Sequence, residues 1–212
     1  MKHLFLTSSV HVVAQDIAKK VDISKNSKNN ELVFINTAAE SVTGDKTWLE
    51  NDRQALINAG FEVTDYTITG KTLTQLKKDL NGYRYIYLSG GNTYCLIQQS
   101  QKTGFTSLIK DLILKQGKIY IGTSAGSIIA GPKCPDYLLS AKQIRRSKQV
   151  KGYGLVNFTV VPHWGSKEFK DLYLKKRLKI AYKIDQVPLL LLTDNQYVHV
   201  VDGCYEIIDM AK

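Results

Sequence analysis

The segment Gly122-Thr123-Ser124-Ala125-Gly126 follows the pattern Gly-x-Ser-x-Gly. A serine in that pattern is placed for acyl transfer when a strand runs into the turn and a helix leaves it. Both flanks fit: Lys118 to Ile121 reads as a strand, and Ser127 to Ala130 is compatible with a helix. Glycines let the backbones come close and let the nucleophile adopt a strained conformation. The Ser124 hydroxyl then projects above the sheet at a helix N-terminus, where free N–H groups and the helix dipole favour developing negative charge. The plainer reading is a tight strand-to-helix turn with an incidental serine, and the flanking elements weigh against it.

A second glycine-rich loop, Ser89-Gly90-Gly91-Asn92-Thr93, follows the apolar run Tyr85 to Leu88. Adjacent glycines let a backbone approach a ligand without a Cβ in the way. One backbone N–H here can pair with that of Ala125 to form an oxyanion hole. Asn92 and Thr93 are candidates for substrate contact and equally for capping the next helix.

A serine hydroxyl needs a base. Of the four histidines, His3 falls in the first strand, His11 in the first helix and His199 in a terminal strand, positions where a lone histidine is more often structural. His163 directly follows the strand-like Thr159 to Val161, on the rim expected for Ser124, and is the candidate base. Asp136 lies between Ser124 and His163 in sequence and is the first candidate for the orienting acid. Glu168, Asp171 and Asp194 stay open, because the members of a triad meet only in the fold.

These residues need a scaffold that brings strand ends together. Short runs rich in β-branched and aromatic residues alternate with helical segments. Strands are expected near Lys2–Leu6, Leu32–Ile35, Phe61–Tyr66, Tyr85–Leu88 and Ile119–Ile121. Helices are expected over Val10–Val21, around Trp48–Ala59 and Leu73–Leu80, and over Phe105–Gln116. That rhythm implies an α/β fold: one domain over residues 1–212 with a mostly parallel, doubly wound sheet and helices on both faces. Ligands of such sheets bind beyond the carboxyl ends of the strands, where both glycine loops begin. The tail reads as strands at Thr159–Val161, Leu189–Leu192, Tyr197–Val201 and Tyr205–Ile208. Asp202-Gly203 turns the last two into an antiparallel edge hairpin.

Composition narrows the classes. The 212 residues are 43% apolar and 23% charged, as in an ordinary globular domain. No apolar run is long enough to cross a membrane, and the N-terminal apolar stretch is too short for a signal peptide, so a cytoplasmic location is expected. Three scattered cysteines show neither metal-ligand spacing nor a disulfide framework. The net charge of +10 is spread over scattered lysines without a nucleic-acid-binding motif. It reads as a solvated basic surface rather than a nucleic-acid site, or as a loop that attracts an acidic substrate.

With these motifs in place, the sequence resembles the dipeptidase E and cyanophycinase family of serine peptidases, whose sheet is similar to that of class I glutamine amidotransferases. Four features carry the resemblance, in order and over nearly the whole chain: Ser89-Gly90-Gly91-Asn92-Thr93, Tyr120 to Gly126, Pro162-His163, and Leu192-Thr193-Asp194-Asn195-Gln196. The resemblance implies Ser124 as nucleophile, His163 as base, and Gly91 with Ala125 as oxyanion donors. It implies an acid between nucleophile and histidine, nearest to Asp136. It also implies small peptides as substrates, aspartyl dipeptides among them, read by basic residues: Arg145 and Arg146 first, Arg177 as a further candidate. No cofactor or metal is required, and a homodimer fits the family. An esterase or amidase on the same turn, or an amidotransferase-like binding protein without catalysis, are the competing readings.

Overall fold

The computed structural model describes residues 1–23, 29–138, 150–178 and 187–211. Seven strands form one sheet in the order β3-β2-β4-β5-β1-β8-β9. They are β1 (His3–Thr7), β2 (Glu31–Ile35), β3 (Glu62–Tyr66), β4 (Tyr85–Leu88), β5 (Ile119–Thr123), β8 (Gln196–Val201) and β9 (Cys204–Asp209). β1 to β5 run parallel, while β8 is antiparallel to β1 and β9 to β8. The expected parallel sheet with an antiparallel C-terminal hairpin is present.

Strand periodicity explains the two layers. Leu4, Leu6, Val33, Ile35, Ile86, Leu88 and Tyr120 point to one face. They pack there against α3 (Leu73–Asp79), α4 (Thr93–Thr103), α5 (Phe105–Lys110) and α6 (Ala125–Ile129). The alternate residues Phe5, Leu32, Phe34, Tyr85, Tyr87, Ile119 and Ile121 point to the other face, under α1 (Val10–Lys20) and α2 (Thr47–Asn58). Strands apolar on both faces, as here, belong to sheets covered on both sides.

The tail departs from expectation in one respect. β6 (Thr159–Val161) and β7 (Leu189–Leu191) do not extend the main sheet but form their own parallel pair, with Val161 opposite Leu191. Their carboxyl ends therefore lie side by side, which sets up the site below. Among the described residues no helix is long and apolar enough to cross a membrane.

The layer under α1 and α2 sets a stability test. Phe34 is 1% exposed and stacks on Tyr87 with ring centroids 4.4 Å apart. Phe34→Ala is expected to cost about 3–5 kcal/mol by cavity formation. Leu114→Ala, at a residue 50% exposed, should stay within about 0.5 kcal/mol of the parent. Denaturant melts of the two variants measure the contrast.

Candidate active site

The turn from β5 into α6 carries Ser124 at φ 48°, ψ −104°, a conformation L-residues rarely adopt. Close packing enforces it. A Cβ on Gly126 would lie 2.2 Å from the Leu88 carbonyl oxygen, and one on Gly122 would lie 2.8 Å from the Ser127 nitrogen. Hydrogen bonds hold the turn to the neighbouring strand. Ser124 N–H donates to the Thr7 carbonyl at 3.1 Å. The Ser127 hydroxyl donates to the same carbonyl at 2.7 Å, and the Tyr120 hydroxyl donates to the Gly126 carbonyl at 2.6 Å.

The Gly90-Gly91 loop lies beside this turn. A Cβ on Gly90 would be 3.4 Å from the Cβ of Ser124. Gly91, at φ 126°, packs where a Cβ would stand 2.3 Å from the Ala38 carbonyl oxygen. Gly91 lines the cavity that contains Ser124, and Ala125 opens α6 directly after the serine. Thr93 also lines the cavity. The Asn92 side chain instead caps α4, with Oδ1 accepting from the Cys95 N–H at 3.0 Å. The capping role expected as one of two for Asn92 is present, with Oδ1 engaged by the Cys95 N–H at the start of α4.

His163 reaches the serine from the separate β6–β7 pair. Its Nε2 is 3.1 Å from Ser124 Oγ, and its Nδ1 is 2.7 Å from Asp194 Oδ1. With Nδ1–H facing the carboxylate, the network assigns the Nε2 lone pair to the hydroxyl proton of Ser124. Backbone and ring contacts fix the imidazole. His163 has φ 60°, its N–H donates to Ser8 Oγ at 2.7 Å, and its ring stacks on Phe169 at 4.8 Å.

The carboxylate at His163 is that of Asp194, not the expected Asp136. The reason is topological. His163 follows β6 by two residues and Asp194 follows β7 by three, and these two strands are parallel neighbours. Position in the chain between nucleophile and base carries no such constraint. Asp136 begins a single helical turn, Asp136–Leu138, and nothing is described of its side chain. Asp194 also accepts from the Ser8 hydroxyl at 2.7 Å. The hydrogen bond from His163 holds its carboxyl below the ordinary 3.8, helped by Ser8 and opposed by partial burial.

The cavity has a volume of about 650 Å³. Its cationic lining includes Arg177, whose guanidinium lies 5.0 Å from the Tyr173 ring centroid, 5.7 Å from Phe169 and 5.8 Å from Tyr137. Arg145 and Arg146 lie outside the described residues. Sequence reasoning missed Ser8, which contacts both His163 and Asp194, because the β1 end carries no motif. It also set aside His11, which lines this cavity; a lone histidine at helical spacing gives no signal of what faces it.

A serine on a strained strand-to-helix turn, within hydrogen-bond distance of an imidazole above a mostly parallel sheet, has the arrangement of an α/β serine hydrolase. The comparisons narrow it. The sequence pattern of peptidase family S51 matches residues 4–208. An uncharacterized peptidase of Listeria monocytogenes is 31% identical over 194 residues, covering 89% of this chain and 91% of that one. Peptidase E of Salmonella arizonae is 32% identical over 100 residues, 47% of this chain and 41% of its own. A crystal structure described as a peptidase E protein from Listeria monocytogenes superposes with TM-score 0.80 at 28% identity, covering 99% of this chain and 98% of the other. This chain belongs to peptidase family S51 and is a serine peptidase.

The depressed Asp194 pKa has a signed consequence. A carboxylate whose folded pKa lies below its unfolded value contributes stability that is present above the unfolded pKa and is lost as pH falls through the folded one. The acid limb of the stability curve, from about pH 4 downward, should therefore flatten in Asp194→Asn. Thermal melts of both proteins across that range read the difference.

Proposed function

We propose that the protein hydrolyses small peptides through an acyl-enzyme formed on Ser124. His163 Nε2 takes the hydroxyl proton as Oγ attacks the scissile carbonyl, then returns it to the departing amine. Asp194 holds Nδ1–H and stabilises the imidazolium. Water, deprotonated by the same nitrogen, then releases the acyl group and regenerates the serine. The N–H groups of Gly91 and Ala125 take the oxyanion, at about 3 kcal/mol per donor. One observation carries this reading: the unbroken line from Ser124 Oγ to His163 Nε2 at 3.1 Å and from His163 Nδ1 to Asp194 Oδ1 at 2.7 Å.

The substrate class follows from the cavity. Its size suits a small peptide, and Arg177 presents a planar, permanently charged group suited to a carboxylate. Its three ring neighbours limit the conformational freedom lost on binding. Peptides with an acidic residue, aspartyl dipeptides among them, fit this lining. The peptidase E relatives and the S51 membership support the coarser part of this reading, a peptidase.

A fluorophosphonate probe should label Ser124, and Ser124→Ala should lose both labelling and peptide turnover. Asp194→Asn is expected to lower kcat by about a thousandfold or more, whereas Asp136→Asn leaves it within a few-fold. Turnover of aspartyl dipeptides beside p-nitrophenyl esters separates peptidase from esterase. Labelling of active protein at another serine, or equal losses at Asp136 and Asp194, would refute the assignment.

A further inference from the structure

The first turn of α1 brings a second imidazole to the cavity. His11 and Asp52 both line it, from α1 and α2. Asp52 is 2% exposed, and its carboxylate is fully engaged. Oδ1 accepts from the His11 backbone N–H at 3.3 Å and lies 3.0 Å from His11 Nδ1, while Oδ2 accepts from the Tyr87 hydroxyl at 2.8 Å. A buried carboxylate needs such partners, so Asp52 accounts for one side of the ring. It does not account for the other. The His11 side chain is 39% exposed, and with Nδ1 committed to Asp52 the remaining polar atom, Nε2, belongs to a residue that faces the cavity.

The hydrogen bond to Asp52 raises the His11 pKa above 6.5, against burial and with the charges of Asp52 and Asp194 acting in the same direction. Such a ring keeps its charge to higher pH than a free histidine. It is held from behind, and that limits the entropy lost when it meets a ligand. Arg177, by contrast, comes from the segment after β6, as does Lys167, so His11 and Arg177 are mounted on separate elements of the same cavity.

We propose that His11, fixed by Asp52 and Tyr87, is a carboxylate-binding residue of the peptide site, separate from Arg177. This rests on the peptidase reading of the cavity and gives that reading a sharper substrate: a small peptide with two carboxylates, one for His11 and one for Arg177. In an aspartyl dipeptide these are the side chain and the free C-terminus.

Three ligands resolve the matter: aspartyl-alanine, asparaginyl-alanine and aspartyl-alanine amide. Hydrolysis is measured with the parent, His11→Gln and His11→Arg. Binding of the same ligands is measured by calorimetry on Ser124→Ala with and without His11→Gln. A charge-assisted hydrogen bond lost at one carboxylate corresponds to about tenfold or more in KM or Kd. His11→Gln should therefore collapse one preference, either acid over amide or aspartyl over asparaginyl, and spare the other. His11→Arg should retain that preference. Which preference collapses identifies the carboxylate. If His11→Gln weakens all three ligands equally, or none, the proposal is overturned, as it is if none of them binds. Ligands that bind in a His11-dependent way without being cleaved would sustain it while sinking the peptidase reading.

Discussion

The carboxyl end of β1 is the point on which the site depends. The Thr7 carbonyl accepts from the Ser124 N–H and from the Ser127 hydroxyl, so it pins the turn that carries Ser124. The next residue, Ser8, is fully buried. Its hydroxyl accepts from the His163 N–H and donates to Asp194. Two consecutive residues thereby connect the serine, the imidazole and the carboxylate, which come from three distant parts of the chain. In a buried setting such bonds are stronger than in water, and leaving one unmade is costly. α1 begins two residues later and carries His11 to the same cavity.

The strain at Ser124 is tolerable only because its surroundings over-determine it. A residue in this region of φ/ψ costs roughly 1–3 kcal/mol. The buried bonds from Tyr120, Ser124 and Ser127 oppose any relaxation of the turn. Gly122 and Gly126 leave no gap into which it could collapse. What is obtained is a hydroxyl held 3.1 Å from the Nε2 of His163.

His163 and Asp194 are placed by a different device. They stand at neighbouring ends of a two-stranded parallel pair outside the main sheet. Parallel neighbours deliver side chains to one edge, so His163 and Asp194 meet without a shared turn or loop. Ser8 then ties this pair to the main sheet. The imidazole is thus positioned by one layer and its target by another, and the hydrogen bonds of a single hydroxyl set the distance between them.

How much of this was legible depends on how local the governing physics is. The apolar strands, the α/β rhythm, the edge hairpin, the Ser124 turn and the Gly90-Gly91 loop follow from side-chain periodicity and glycine sterics, which act within a few residues. So the main sheet and the strand-to-helix turn at Ser124 could be read from the chain alone. His163 was readable as a residue just beyond a strand, although β6 proved to belong to a separate pair. The meeting of His163 with Asp194, and the places of Ser8 and His11 in the site, were decided by tertiary structure alone. Each depends on which strands lie side by side or which helix end faces the cavity. Those juxtapositions are set by long-range packing, and no spacing along the sequence encodes them.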